Sequence, residues 1–350
     1  MKILVIVELY FHKSKAGGER YLHHFLKELK KFTNYTPIVL LPNSDEMKKY
    51  EFDGIIINET TEDLEECLNY ICEADLIITQ LFASEKVIDF ALNENKEIIW
   101  ILHGYFHGFH KLIANPSITK IFNSKNVLCD FQSKDIEVSN YHIIYPQTDF
   151  FKFNQFKDKE KWRRQYITFV NPCKNKGVET VIKLVEENPE RKFLIVEGGY
   201  MMEEQIPYLQ ELMKYPNSHI IRNTDNIIKD VYSKSRIVLM LSKYESYGLV
   251  ASESASMGIP VIINRETKGL VENVGKLSLG GYGDDYESYN RCIEILDNIE
   301  TYFLWSNIYE EKMEERFNEI NFQIVNFFGN YFTCNNQQSE LYQSDQLRRY

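Results

Sequence analysis

No run of apolar residues in this chain approaches the roughly 20 that a membrane-spanning helix needs, so the sequence predicts at most peripheral contact with a bilayer. The opening stretch, MKILVIVELYF, is short, has no cleavage signature and runs straight into charged residues. It reads as a first buried strand rather than a leader peptide. Cysteine is sparse. Cys67, Cys72, Cys129, Cys173, Cys292 and Cys334 lie scattered, without the CxxC pairs of a zinc site or the density of a disulfide scaffold. Reduced thiols in a cytoplasmic protein follow as the expectation. Positive charge is in deficit, with a formal net charge of -11, which argues against nucleic acid as a partner. The GxGxxG fingerprint is missing, which disfavours a nicotinamide dehydrogenase. No Asp-x-Asp triplet occurs either, and with it goes a common carboxylate clamp for Mg²⁺ or Mn²⁺.

What is present is a chain of 350 residues, 44% hydrophobic, long enough for two cores. Short Val/Ile/Leu-rich runs recur near 3–7, 37–41, 54–57, 76–79, 98–102, 120–122 and 142–145, with helical patterns between them at 20–32, 62–72 and 85–93. Strands that are apolar throughout and alternate with helices imply a parallel sheet covered on both faces. We therefore expect a first Rossmann-like domain over 1–150. Residues 151–165, of mixed charge with exposed aromatics, read as a linker. A second alternation fills 166–300, with strands near 166–170, 193–196, 219–222, 237–241 and 261–263. Helical patterns at 287–299 and 302–326 follow. The stripe of Phe303, Leu304, Ile308, Phe317 and Ile320 suits a C-terminal helix at 301–332 packing on the first domain, with an interfacial membrane helix as the alternative. The polar end, 333–350, reads as a disordered tail.

The most informative stretch is 237–264, IVLMLSKYESYGLVASESASMGIPVIIN. It predicts a buried strand, a loop carrying Glu245 and Gly248, a helix from about Leu249, a Gly258/Pro260 stop and a second strand. Glu245 is thus expected at the carboxyl edge of a parallel sheet and Glu253 early in the following helix. Backbone N–H groups of Gly248, Leu249 and Val250 fall at that helix's positive end, where a phosphate would be held. Two glutamates at this spacing alone say little, because Glu is common on solvated helix faces. The whole string, Glu245-Ser-Tyr-Gly-Leu-Val-Ala-Ser-Glu253 followed by Ala255, Gly258, Pro260 and Val261, resembles the E-x7-E signature of the GT4-type retaining glycosyltransferases. The resemblance implies the GT-B fold: two Rossmann-like α/β domains facing each other across a cleft, with the C-terminal helix crossing back to the first.

Other residues fit the same resemblance. Ser14-Lys15-Ala16-Gly17-Gly18-Glu19 after the first strand is similar to the glycine loop these enzymes place near donor phosphates or acceptor, although here Glu19 follows the glycines directly. His103 ends a strong apolar strand, and by the resemblance lies near the transferred sugar. By themselves the eight histidines of the chain suggest structural roles, and the His103, His107, His110 spacing does not suit zinc. In Asn171-Pro-Cys-Lys174-Asn-Lys176-Gly177, Lys176 matches the family's Lys-Gly position, and Asn171 stands where the commoner pattern has Arg. One cation is missing there, so either Lys174 or another basic residue supplements Lys176 or the site binds phosphate less tightly; a solvated lysine turn is the other reading of Lys174. Thr267-Lys268-Gly269 resembles a further loop of the family, and Glu197-Gly198-Gly199 a glycine turn with a structural role.

The implied reaction is sugar transfer, with retention, from a nucleoside-diphosphate donor (UDP or GDP) to a hydroxyl of a glycan, a glycoprotein or a lipid-linked acceptor, without metal or other cofactor. Glu253 would hold the ribose hydroxyls. Glu245 would face the donor sugar, and Lys176 would offset the departing diphosphate. The alternatives are a nucleotide-sugar epimerase of similar fold and a nucleotide-sugar-binding protein without turnover. A basic patch of Lys13, Lys15, Arg20, Lys27, Lys30 and Lys31 reads as a solvated helix face, with an anionic membrane or lipid-linked acceptor as the other reading.

Overall fold

A computed structural model describes residues 1–333 apart from 12, 14–15, 82–83, 106–108, 149, 156–162, 199–201, 223, 225 and 276–277. Lys15, His107, Gly199, Lys276, the tail from 334 and the middle of the expected linker therefore lie outside the described residues. The chain divides into two compact units, one of 1–147 with 319–350 and one of 148–318.

The first unit is built on eight strands: β1 (Ile3–Ile6), β2 (Ile38–Leu41), β3 (Lys48–Phe52), β4 (Ile55–Glu59), β5 (Leu76–Gln80), β6 (Glu97–Leu102), β7 (Ile118–Phe122) and β8 (Tyr141–Ile143). Their spatial order is β3-β4-β2-β1-β5-β6-β7-β8, and every pairing is parallel except β3 with β4. Every residue of β1, β5 and β7 is buried, as helices on both sheet faces require. The antiparallel edge strand β3 departs from the expected all-parallel sheet. Its sequence, Lys-Lys-Tyr-Glu-Phe, is mostly exposed and charged, which hides it from a search for apolar runs while guarding a sheet edge against further pairing. Inside β7 sits a lysine, Lys120, with no exposed surface. Its ammonium donates to the carbonyls of Asn115 and Ser139, 2.5 and 2.8 Å away, and burial pulls its pKa down to about 8.

The second unit carries β9 (Tyr166–Val170), β10 (Lys192–Val196), β11 (Ser218–Ile221), β12 (Ser235–Met240), β13 (Val261–Asn264) and β14 (Gly280–Gly281), ordered β11-β10-β9-β12-β13-β14 and parallel throughout. The α/β fold is thus two Rossmann-like sheets. The stretch expected as a linker begins with structure instead. A helix, Phe150–Asn154, buries Phe150 and Phe153 in the second unit's core, the i, i+3 spacing that turns two side chains to one helix face.

The expected break near residue 300 lies earlier: the helix Tyr286–Ile295 ends and a single 35-residue helix runs Ile299–Thr333. Its buried side differs from the expected stripe. Leu304 is exposed, and Tyr302, Ser306, Tyr309, Met313, Ile320, Ile324 and Phe327 are buried at spacings of mostly three and four. Up to Asn318 the helix belongs to the second unit, where Tyr309 Oη donates to the Val261 carbonyl at 2.6 Å and accepts from the Leu279 N–H at 3.2 Å. From Glu319 it belongs to the first, where Phe327 and Phe328 pack on Phe25 with ring centroids 6.0 and 5.2 Å apart.

The basic patch is matched locally. Lys13 pairs with Glu59 at 2.6 Å and Lys27 with Asp53 at 3.3 Å, while Lys30 donates to the Gly54 carbonyl at 2.6 Å. Among the described residues no helix is long and apolar enough to cross a membrane. Cys67, Cys72, Cys129, Cys173 and Cys292 are free thiols. Removing the Tyr309 hydroxyl leaves a buried carbonyl and a buried N–H unpaired, so Tyr309→Phe is expected to destabilise by about 1–3 kcal/mol. A lowered urea midpoint at unchanged m value is the readout.

Candidate active site

At the carboxyl ends of β9 and β12, which are neighbours in the second sheet, lies a small pocket. Asn171, Lys176, Ser242 and Glu245 line it together with the apolar Phe169, Leu239, Met240 and Val250. Parallel strands end on one edge, so a β9 loop carrying a cation and a β12 loop carrying a carboxylate meet by topology alone. The Lys176 ammonium is ion-paired with Glu245 Oε1, and the Ser242 hydroxyl donates to the same oxygen at 2.9 Å. Both side chains are largely buried, 17% exposed for Lys176 and 13% for Glu245. The two loops are also tied through backbone, the Lys243 N–H donating to the Asn175 carbonyl at 2.9 Å.

The Glu245 loop is fixed from beneath. Thr267 Oγ1 donates to the Ser242 carbonyl. Asn273 Nδ2 donates to the carbonyls of Tyr247 and Gly248 at 3.0 and 2.9 Å, while its Oδ1 accepts from Ser252 at 2.9 Å. Gly269 is required by contact: a Cβ there would stand 2.0 Å from the Glu245 carbonyl oxygen. Gly248 is required by conformation, since its φ of 85° is a left-handed turn that opens the helix Leu249–Ser256. The first N–H groups of that helix, including those of Leu249 and Val250, have no partner within it and carry its positive end.

Glu253 sits one turn further along, 3% exposed, with Tyr232 Oη donating to its Oε2 at 2.7 Å. Tyr232 comes from the π-helical turn Ile228–Tyr232. Lys174 is not gathered into the pocket. It is 64% exposed and 3.7 Å from Glu179, so it does not replace the missing cation. Asn171 does line the pocket, in a left-handed conformation with φ 60°, and its amide lies so close to Gly198 that a Cβ there would fall 1.3 Å from Asn171 Oδ1. Gly198 thus makes room for Asn171, a role that goes beyond a simple turn.

Gly17, Gly18 and His103 belong to the first unit. Gly17 opens the helix Gly17–Thr33, and a Cβ on Gly18 would touch the His103 ring at 3.4 Å. His103 Nε2 lies 2.8 Å from Gln80 Oε1 and so carries the proton, while Nδ1 accepts from Asn123 Nδ2 at 3.4 Å. Tyr21 meets the ring edge-on at 5.2 Å, and burial lowers the imidazole pKa to about 4. A neutral, ε-protonated His103 is the result. Next to Gly18 in sequence, Glu19 is buried in the first turn of the helix, and burial raises its carboxyl pKa. Among the described residues no three His, Cys, Asp or Glu side chains gather as a metal site would need.

The sequence reading missed Ser242, Thr267 as a loop anchor, Asn273, Tyr232, Gln80 and Asn123. Ser242, Gln80 and Asn123 carried one signal in common, each standing directly after a predicted strand, at 237–241, 76–79 and 120–122.

Because the fold lowers the pKa of His103 from the usual 6.5 to about 4, the unfolded chain binds more protons in that window, and stability rises with pH across it. His103→Gln is expected to flatten this dependence by up to about 1.4 kcal/mol per pH unit, read from urea midpoints across the window. Gly269→Ala pushes the Glu245 carbonyl aside and is expected to cost about 1–3 kcal/mol of stability, measured in the same way.

Residues 150–299 match the family model described as glycosyl transferases group 1. The match falls within the second unit and contains Lys176, Glu245 and Glu253. No curated protein matches the sequence. Among solved structures, a glycosyltransferase from Rickettsia africae aligns with a TM-score of 0.73 at 15% identity, over 96% of this chain and 99% of that one. Sucrose-phosphate synthase from Thermosynechococcus elongatus aligns with 0.75 at 15% identity, over 95% and 100%. HepE of Anabaena, solved in complex with UDP and glucose, aligns with 0.72 at 15% identity, over 94% and 99%. The glycosyl transferases group 1 model thus matches within the second unit, and the chain as a whole shares the GT-B fold of these structures.

Proposed function

We propose that the protein transfers a sugar from a nucleoside-diphosphate donor to an acceptor hydroxyl, with retention of configuration and without a metal. The observation that carries this reading is the pocket where Lys176 and Glu245 converge beside the start of the helix Leu249–Ser256. A lysine and a helix N-terminus suit a diphosphate. Glu253, its Oε2 held by Tyr232, suits the vicinal hydroxyls of a ribose. HepE, similar in fold, was solved with UDP and glucose, and this supports a uridine nucleotide as the donor. Charge on the leaving diphosphate grows in the transition state, where Lys176 and the amides of Gly248, Leu249 and Val250 would stabilise it. Neutral His103 suits hydrogen bonding to sugar or acceptor rather than acid catalysis, since a pKa of about 4 leaves no imidazolium to give up a proton at neutral pH. The absence of an Asp-x-Asp triplet from the sequence supports metal independence.

The test is release of UDP from UDP-sugars in the presence of candidate glycan and lipid-linked acceptors, with product configuration read by NMR. Glu253→Ala is expected to raise KM for the donor by about 10–100-fold, the loss of hydrogen bonds to a charged group. Glu245→Ala is expected to lower kcat by about 100-fold. Activity should persist in chelator. Full activity in both variants would remove the site, and rescue by Mn²⁺ after chelation would remove metal independence.

A further inference from the structure

The reading of the pocket as a diphosphate site leaves a conflict of charge, and the inference that follows rests on that reading. Lys176 is the cation lining the pocket, and its ammonium is engaged by Glu245. Asn171, which also lines the pocket, is neutral, and Lys174 points away. The pair therefore sums to zero, and an arriving diphosphate meets a carboxylate already bonded to the group it needs.

We infer that Lys176 and Glu245 form an exchangeable latch, in which the donor diphosphate takes the Lys176 ammonium and the freed Glu245 carboxylate accepts hydroxyls of the donor sugar. Three features make exchange feasible. Lysine is a compact charge on a flexible stem, so its ammonium can move while the backbone stays still. Stripping a largely buried charge of its partner is costly, but a swap keeps Lys176 paired throughout. Glu245 does not follow Lys176, because the Ser242 hydroxyl holds the same Oε1 and the loop beneath is fixed by Thr267, Asn273 and the close approach of Gly269. The latch opens fully only for a ligand that brings both a diphosphate for the lysine and hydroxyls for the carboxylate. A nucleoside diphosphate that has lost its sugar leaves Glu245 uncompensated, so Glu245 reclaims Lys176 and favours its release.

Calorimetric titration of pyrophosphate and of UDP into the wild type, Glu245→Gln, Lys176→Met and the double variant tests the exchange as a double-mutant cycle. Glu245→Gln removes the competitor, so affinity for both anions is expected to rise by about fivefold or more in the wild-type background and by less than about twofold beside Lys176→Met. An equal gain in both backgrounds means simple repulsion by Glu245 and overturns the exchange. Unchanged or weaker binding by Glu245→Gln overturns it as well. No binding of either anion by any of the four proteins overturns the diphosphate reading itself, and the latch with it. Lys176→Gln replaces Lys176→Met in the cycle where circular dichroism shows that the latter does not fold.

Discussion

The ion pair between Lys176 and Glu245 joins the ends of two adjacent parallel strands, and the arrangement of the pocket depends on it. Each partner comes from a short loop whose backbone alone would not hold a charged side chain in place. The sheet supplies the proximity, because β9 and β12 are neighbours that end on one edge. The rigidity comes from side chains that bond to loop carbonyls, Thr267 and Asn273 above all. Those bonds satisfy polar groups that would otherwise be buried and unpaired, so the same contacts serve both stability and placement.

The two units solve the placement problem with opposite electrostatics. In the second, a cation, two carboxylates and a helix N-terminus are set close together, which suits a ligand that brings charge of its own. In the first, His103 is held by two uncharged amides and an aromatic edge, and burial keeps it neutral. A neutral imidazole with its proton fixed on Nε2 offers geometry rather than charge. The glycine beside it, Gly18, brings the start of a helix against the ring.

Much of the fold was legible in the sequence because buried parallel strands must be apolar along their whole length, and thirteen-atom helical rings between them impose a different period. The readings that failed did so for physical reasons. β3 is an edge strand whose charges face water, so it leaves no apolar run. The segment from Phe150 looked like a connection because its lysines and exposed Phe151 masked two buried phenylalanines one turn apart. The long C-terminal helix buries Tyr302, Ser306 and Tyr309, the hydroxyls of the last two bonding to backbone carbonyls, and a search for aliphatic stripes passes over such residues.

For the site, sequence by itself determined which polar side chains stand at or shortly after strand ends: Lys176, Glu245, Glu253 and His103 each follow from a strand-loop-helix punctuation set by Gly, Pro and apolar runs. It also determined that a family's arginine position holds Asn171 instead. Only the tertiary structure decided that Lys176 and Glu245 touch, that Lys174 does not join them, and that Tyr232, Ser242, Gln80 and Asn123 orient the residues the motif names. The reason is range. Helix and strand signals are written within a few residues, whereas these partners lie between 3 and 69 positions apart, mostly too far for any local pattern, and meet because parallel strands bring their ends to one edge.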